Sequence, residues 1–537
     1  MLSTATPAPE PNNFAFKPRR ASIDPNQIVY ISEKQKQAVA DLIREFTLLP
    51  TKLKAIKDHF LQEMRKGLEK EGQTIAMVPS HVVGRLYGSE IGVYLTLDLG
   101  GTFLRVVSVE LLGQGRMRTV QKKYRIHDER KVSEAKLLFE YMASCVDSFM
   151  DEHAIIVPSD AEIELGFTFS YPVLQTAINS GTLIAWTKGF SCPGMVHKDP
   201  AAFLQDAFRR RNMPIRVAAL LNDTVGTLLA HAYRHPRTVI GLGLGTGTNG
   251  AYIERVDRIP KWKGPLSNKE TEMVINMEFG AFDSELLVLP VTMYDHKVDQ
   301  KSPNKGQQIF EKMIAGMYLG EITRNILVDL IDRRLLFTSC MNIEMNRVWA
   351  LDTAYMSSIE ADSTPNLDDT QRVLERVLCS SSKAAVDESS KECRATIVTT
   401  TLVDRKIVKV VVGLVGQRAA RLSAMAVAGI LEHTKGVAWC TETGADIGVD
   451  GSLFMLYPSF GCDILDALEE IFEQESGMKG VVVVRTDEAF EMMDMCEQLQ
   501  RSRGLEVRMR PCVDGSGVGA ALCALLATRI TSIGDSI

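Results

Sequence analysis

The chain contains no CxxC pair, no HExxH and no other tight grouping of metal ligands, although it holds ten cysteines and nine histidines. Scattered cysteines such as Cys145, Cys192, Cys340 and Cys523 neither frame a disulfide scaffold nor build a zinc site, and they point to a reducing compartment. A catalytic metal held by protein ligands is not expected. No run approaches the roughly 18 apolar residues of a membrane span. The opening MLSTATPAPEPNNFAFKPRRASIDPNQ lacks the apolar core of a secretory signal. Positive charge is not in excess either: 61 Lys and Arg against 67 Asp and Glu leave a net charge of −6. That removes any general pull toward nucleic acid or anionic lipid.

What is present suits a soluble globular protein: 45% hydrophobic and 24% charged residues. A length of 537 residues calls for more than one core. Residues 1–27 are rich in Pro, Asn, Ala and Ser and read as a disordered tail. Within it PRRAS sets two arginines ahead of Ser22, a pattern that suits a basophilic protein kinase; the bland alternative is a basic speck in a floppy segment. Helical periodicity runs from 32 to 70 with a break at Pro50. Strand patterns at 92–98, 103–111 and 161–169 precede or alternate with helical ones at 135–151, 200–210, 222–233, 307–334, 418–433 and 463–475. That alternation predicts an α/β architecture. A serine-rich polar stretch at 379–395 reads as a surface insertion.

Two glycine-threonine turns, each after an apolar strand, are phosphate-loop candidates: DLGGT at 98–102 and GLGTGTNG at 243–250. Glycines let backbone N–H groups approach phosphate oxygens, and a threonine hydroxyl adds a donor. Asp98 can hold a hydrated Mg²⁺ through water, and Arg105 can bond a phosphate. By itself a GGT turn says little, since many hairpins contain one. Further pieces join it in LGFTFSYP (165–172), AWTKGF (185–190) and LLNDTVGTLLAHAY (220–233). Asp223 in the last of these is either a general base or a plain helix cap.

The succession DLGGT, GFTFSYP, WTKGF, NDTVGT, GTGTNG, EFGAF, FEKM and DGSG resembles the eukaryotic hexokinase and glucokinase family, from about residue 35 onward. FEKMIAGMYLGEITR and VGLVGQRAARLSAMAVAGI are similar to its fungal branch. The resemblance implies the actin-like ATPase fold, two α/β domains around a hinged cleft. It also implies a division into a tail (1–27), N-terminal helices on the large domain (28–91), a small domain (92–221), a large domain (222–514) and a helix returning to the small domain (515–537). The hexose contacts it implies are Ser170, Thr187, Lys188, Asn222, Asp223, Asn249, Glu278 and Glu311, with Asp223 as the base that takes the sugar's 6-hydroxyl proton. For the nucleotide it implies Asp98, Gly100, Gly101, Thr102, Arg105, Thr246, Gly416, Asp450, Gly451 and Ser452. The implied cosubstrate is Mg-ATP, the metal being held mainly by ATP and water with Asp98 in the outer shell. A cytoplasmic location is expected, with a nuclear or mitochondrial-surface pool as a variant.

One departure stands out. Where the family reads Gly-Gly-Thr-Asn, this chain reads Gly-Gly-Thr-Phe, at Phe103. The segment PSHVVGRLYGSEIGVY is also unusual, and the chain is long between FEQESGMKG and CVDGSGVG. Losing one or two phosphate contacts costs on the order of 2–4 kcal/mol of transition-state stabilisation. Two readings follow: an ATP-dependent hexose 6-kinase, or a catalytically weak sugar sensor that reports carbon status to regulatory protein partners. An actin-like ATPase without a sugar site leaves the matches at Ser170, Lys188, Asn249, Glu278 and Glu311 unexplained.

Overall fold

The computed structural model describes residues 24–155, 157, 161–186, 189–264, 271–337, 345–378, 400–434, 444–473, 481–484 and 505–534. Ser22, Thr187, Lys188 and the 379–395 insertion lie outside them.

The strands, in chain order, are β1 Val78–Val83, β2 Ile91–Leu99, β3 Phe103–Gly113, β4 Arg116–Arg125, β5 Ile163–Phe169, β6 Val173–Ala177, β7 Ser180–Leu183, β8 Ile215–Leu221, β9 Thr238–Leu244, β10 Thr248–Arg255, β11 Glu272–Asn276, β12 Ala445–Asp450, β13 Val481–Val484 and β14 Leu505–Pro511. A five-stranded sheet runs β4-β3-β2-β5-β8, and a seven-stranded one runs β1-β11-β10-β9-β12-β14-β13. Both contain the same motif. A hairpin and a third antiparallel strand lie on one side of the first strand, and two parallel strands lie on the other. Thus β4-β3-β2-β5-β8 repeats as β11-β10-β9-β12-β14, and the two candidate phosphate loops are the equivalent β2–β3 and β9–β10 turns.

Helices α1 (Glu33–Phe46) and α2 (Pro50–Glu69) follow the 32–70 periodicity, and Pro50 is the first residue of α2, where a missing N–H is no loss. Next come α3 (Ala135–Glu152), α4 (Pro200–Arg210) and α5 (Asp223–Arg234). The 307–334 pattern resolves into α6 (Ile309–Ile314) and α7 (Gly316–Asp332), broken at Ala315. The 418–433 pattern is the second half of α8 (Leu402–Thr434), and beyond it lie α9 (Ser452–Leu456), α10 (Phe460–Glu473) and α11 (Gly515–Gly534). By length and composition α8 could cross a membrane, which a search for uninterrupted apolar runs overlooks, but 78% of its apolar window is buried inside the protein. Its Arg418, fully buried, makes a two-pronged pair with Asp295 at 2.6 and 2.8 Å and lies over the Phe46 ring.

One apolar core joins α1, α2, α8 and α10 to the seven-stranded sheet. A second fills the space between the five-stranded sheet, α3 and α4. A third lies at the junction, where Val107 and Val109 of β3, Val225 and Leu228 of α5, Ala251 of β10, and Val518 and Leu522 of α11 pack together. Here α11 presses on α5 so closely that a Cβ on Gly519 would fall 2.1 Å from the Gly226 carbonyl oxygen. Only glycine fits that crossing.

Candidate active site

The β2–β3 turn is held through its backbone atoms, by one internal hydrogen bond and one tyrosine hydroxyl. Gly100 N–H donates to the Phe103 carbonyl (3.1 Å), and the Tyr171 hydroxyl donates to the Gly100 carbonyl (3.3 Å). Thr102 is exposed, and the Phe103 side chain is 47% exposed, so it does not pack into the small core. Arg105, directly across the ladder from Asp98, is fixed by side chains. It donates to Asp98 (2.9 Å), Asp514 (2.5 Å) and Ser516 (2.5 Å), and the Ser516 hydroxyl donates to Asp98 (2.9 Å). Arg105 therefore has three side-chain partners on the protein itself. It staples the small sheet to the start of α11. Asp514 and Ser516 lie inside the quoted DGSG motif, yet the sequence reading gave neither a role.

The β9–β10 turn is held from below by α6 and α7. Gly316 and Met317 donate to the carbonyls of Gly245 (2.8 Å) and Thr246 (3.1 Å), and Thr248 N–H donates to the Glu311 carboxylate (2.9 Å). Thr246 itself is exposed. Beside this turn β12 ends at Asp450, paired with Gly243. Gly451 adopts φ +119, and a Cβ there would meet the Leu244 carbonyl oxygen at 2.3 Å, so glycine is required. Ser452 then opens α9. Gly416, expected at the adenosine and phosphate end, is a helical residue. It lies within α8, where a Cβ would come 2.7 Å from the Tyr457 hydroxyl.

Between the turns, β8 delivers Asn222 and Asp223 to the start of α5. Asn222 is the cap, accepting from Thr224 N–H (2.9 Å). Asp223 occupies the first helical position instead, so the plain-cap reading of that aspartate does not hold. Asn249 Nδ2 reaches Asn222 (3.4 Å), Asn276 (2.8 Å) and Glu278 (3.2 Å). Asn276 was not among the expected residues, although it sits two positions before Glu278 in INMEFGAF. Ser170 follows β5, half-buried, beside Tyr171. An aromatic group of Phe169, Tyr171, Trp186 and Phe190 supports that corner, from which Thr187 and Lys188 continue outside the described residues.

The two sides meet electrostatically. Burial pushes the Asp450 carboxyl up to about 6, the neighbouring Asp223 and Asp514 carboxylates add to this, and the Gly451 N–H and Arg105 oppose it. Asp223, Asp450, Asp514 and Arg105 thus share one neighbourhood, although they come from both halves of the chain. Among the described residues one group has the make-up of a metal site: His59, Glu63 and Asp283, beneath the loop that carries Glu278. Its Asp283 oxygens already accept from the N–H groups of Leu287, Val288 and Leu289 at 2.7–2.9 Å, which marks it as a structural support.

Two family models described as hexokinase match residues 38–233 and 239–526. The hexokinase of Kluyveromyces lactis is 38% identical over 92% of this chain and 92% of its own length. Hexokinase-2 of Saccharomyces cerevisiae is 35% identical over 97% and 98%, and the glucokinase of Aspergillus niger is 37% identical over 91% and 97%. Among solved structures, a Schistosoma mansoni hexokinase complexed with glucose superposes with a TM-score of 0.74 at 31% identity, covering 92% of this chain and 99% of that one.

Proposed function

The chain belongs to the hexokinase family and is an ATP-dependent hexose phosphotransferase, and from that premise we propose which residues carry the reaction. Asp223 takes the proton from the hexose 6-hydroxyl as that oxygen attacks the γ-phosphorus, a role that typically contributes ~10²–10⁴-fold. Ser170, Asn222, Asn249, Glu278 and Glu311 hold the other hydroxyls, joined by Thr187 and Lys188. Glucose ranks ahead of an N-acetylated sugar because the sequence from Ser170 to Asp223 carries no feature that suggests room for the larger group.

On the nucleotide side the turns at Gly100–Gly101 and Thr246 face the phosphates, the Gly100 N–H staying bonded to the Phe103 carbonyl, with Thr102, Asp450, Gly451 and Ser452 completing the edge and Gly416 further along. A divalent ion such as Mg²⁺, bound with ATP, supplies neutralisation of phosphate charge. Asp98 fits an outer-shell role toward it, since one carboxylate oxygen already accepts from Arg105 and Ser516. The observation that carries this reading is the hydrogen-bond network in which Asn249 reaches Asn222, the residue next to Asp223, together with Asn276 and Glu278.

The sensor reading is not favoured. Phe103 leaves the Gly100 hydrogen bond in place and projects toward solvent. Regulation through Ser22 remains a separate proposal. For location we propose the cytoplasm, supported by five buried free thiols among the described residues: Cys145, Cys192, Cys462, Cys512 and Cys523.

The test is transfer from Mg-ATP to glucose, fructose, mannose and N-acetylglucosamine, run beside a calorimetric titration of glucose. The wild type is expected to turn over above ~1 s⁻¹. Asp223→Ala is expected to lose ~10²–10⁴-fold in rate while binding glucose within about tenfold of wild type. Transfer within about tenfold of the wild-type rate in the variant would refute the base assignment.

A further inference from the structure

We propose that Asn276 is a positioning residue that sets the direction of a hydrogen-bond chain aiming Asn249 and Glu278 at the hexose. The inference rests on the hexose-site reading above. Asn276 ends β11 with 8% of its surface exposed, between Val78 of β1 and Ala251 of β10. Its Nδ2 donates to Glu278 Oε1 (2.9 Å), and its Oδ1 accepts from Asn249 Nδ2 (2.8 Å). Asn249 Oδ1 in turn accepts from the N–H groups of Gly250 (2.7 Å) and Glu278 (3.0 Å). At the far end Asn222 Oδ1 accepts from the Thr224 N–H (2.9 Å) and hydroxyl (2.7 Å).

Chemistry fixes which way each amide points. An ionised carboxylate only accepts, so Asn276 must turn its NH₂ group toward Glu278 and its oxygen toward Asn249. Asn249 must then donate to Asn276, and its own oxygen meets two backbone donors, which agrees from the other side. Since the oxygen of Asn222 is committed to the helix cap, its NH₂ group is the donor it offers. Glu278 also sits in left-handed backbone, φ +56, a conformation that costs free energy and needs such restraint. Asn276 therefore decides donor and acceptor polarity at residues that face the sugar.

Asn276→Asp reverses that polarity at one atom. It sets a second carboxylate against Glu278, and such a pair retains one proton near neutrality. At pH 8 the KM for glucose is expected to rise at least ~10-fold, recovering several-fold by pH 6, with KM for ATP within ~3-fold of wild type. Asn276→Ala is expected to raise the glucose KM without the added pH dependence. The double variant Asn276→Asp with Glu278→Gln restores a donor facing an acceptor and should abolish the pH dependence. A glucose KM for Asn276→Asp that follows the wild-type pH profile would overturn the proposal, as would a kcat loss at unchanged KM in Asn276→Ala. If the Asp variant does not fold, the Ala variant decides by the same KM criterion. Glu278→Gln measured alone separates the two levels: an unchanged glucose KM there refutes the hexose-site reading itself, whereas a raised one beside an unperturbed Asn276→Asp refutes only the role of Asn276.

Discussion

The β2–β3 and β9–β10 hairpins hold equivalent places in two sheets of the same strand order, yet they work by different means. At β9–β10 the chemistry is in side chains. Asn249 is bonded on three sides, and Glu311 reaches up to the Thr248 N–H. At β2–β3 the turn is backbone, with Thr102 and Phe103 exposed. A hexose is recognised by donors and acceptors of fixed identity, whereas phosphate oxygens accept N–H groups that nearly any residue supplies. Replacement of an asparagine by Phe103 therefore falls on the half of the molecule where side-chain identity matters less.

The sharpest way to break this comparison is at Arg105, a side chain on which the β2–β3 side does depend. Arg105→Ala leaves Asp98 and Asp514 without their shared partner. Its kcat/KM for ATP is expected to fall ~10²–10³-fold, with glucose affinity unchanged by calorimetry. An equal loss on the glucose side would erase the distinction between hairpins. A smaller effect is expected at Asp450, whose folded pKa of about 6 lies above the ordinary 3.8. A raised carboxyl contributes stability below its unfolded pKa and loses it as pH rises through the folded value. Asp450→Asn should therefore raise the melting temperature of the unliganded protein by a few degrees at pH 8, and the gain should fade between pH 6 and pH 4, as scanning calorimetry would show. The smallest effect is expected for Phe103→Asn, under ~3-fold in kcat and in KM for ATP, because the backbone N–H is the same in both. Activation beyond tenfold would revive the sensor reading and show that the side chain at 103 matters after all.

Legibility in the sequence followed the same divide. Motifs that carry side-chain chemistry announced themselves: NDT, GTGTNG and EFGAF each hold a residue of one hydrogen-bond network, and FEKM holds the Glu311 that accepts from the Thr248 N–H. The α/β alternation was readable too, with β2, β3, α3 and α4 ending within a residue or two of their periodic patterns. Contacts between remote segments were not. Nothing in DLGGTFLR indicates that Arg105 is bound to Asp514, because a local pattern carries no information about a partner hundreds of positions away. Gly416 was legible only as part of a recognisable segment, and its close approach to the Tyr457 hydroxyl from within α8 was not. Asn276 was hidden because a polar residue at a strand end is unremarkable until its neighbours are known.

The junction core has a consequence for how the chain is made. Arg105 and Ser516 are 411 positions apart, and Val107 shares its core with Val518 and Leu522. A ribosome adding roughly 5–20 residues per second needs tens of seconds to cover that interval. During that time the small sheet is synthesised but one of its faces has no cover, since the helix that seals it has yet to emerge. Closing so long a loop is slow as well as late. The apolar surface that α11 covers is therefore completed only when that last helix docks.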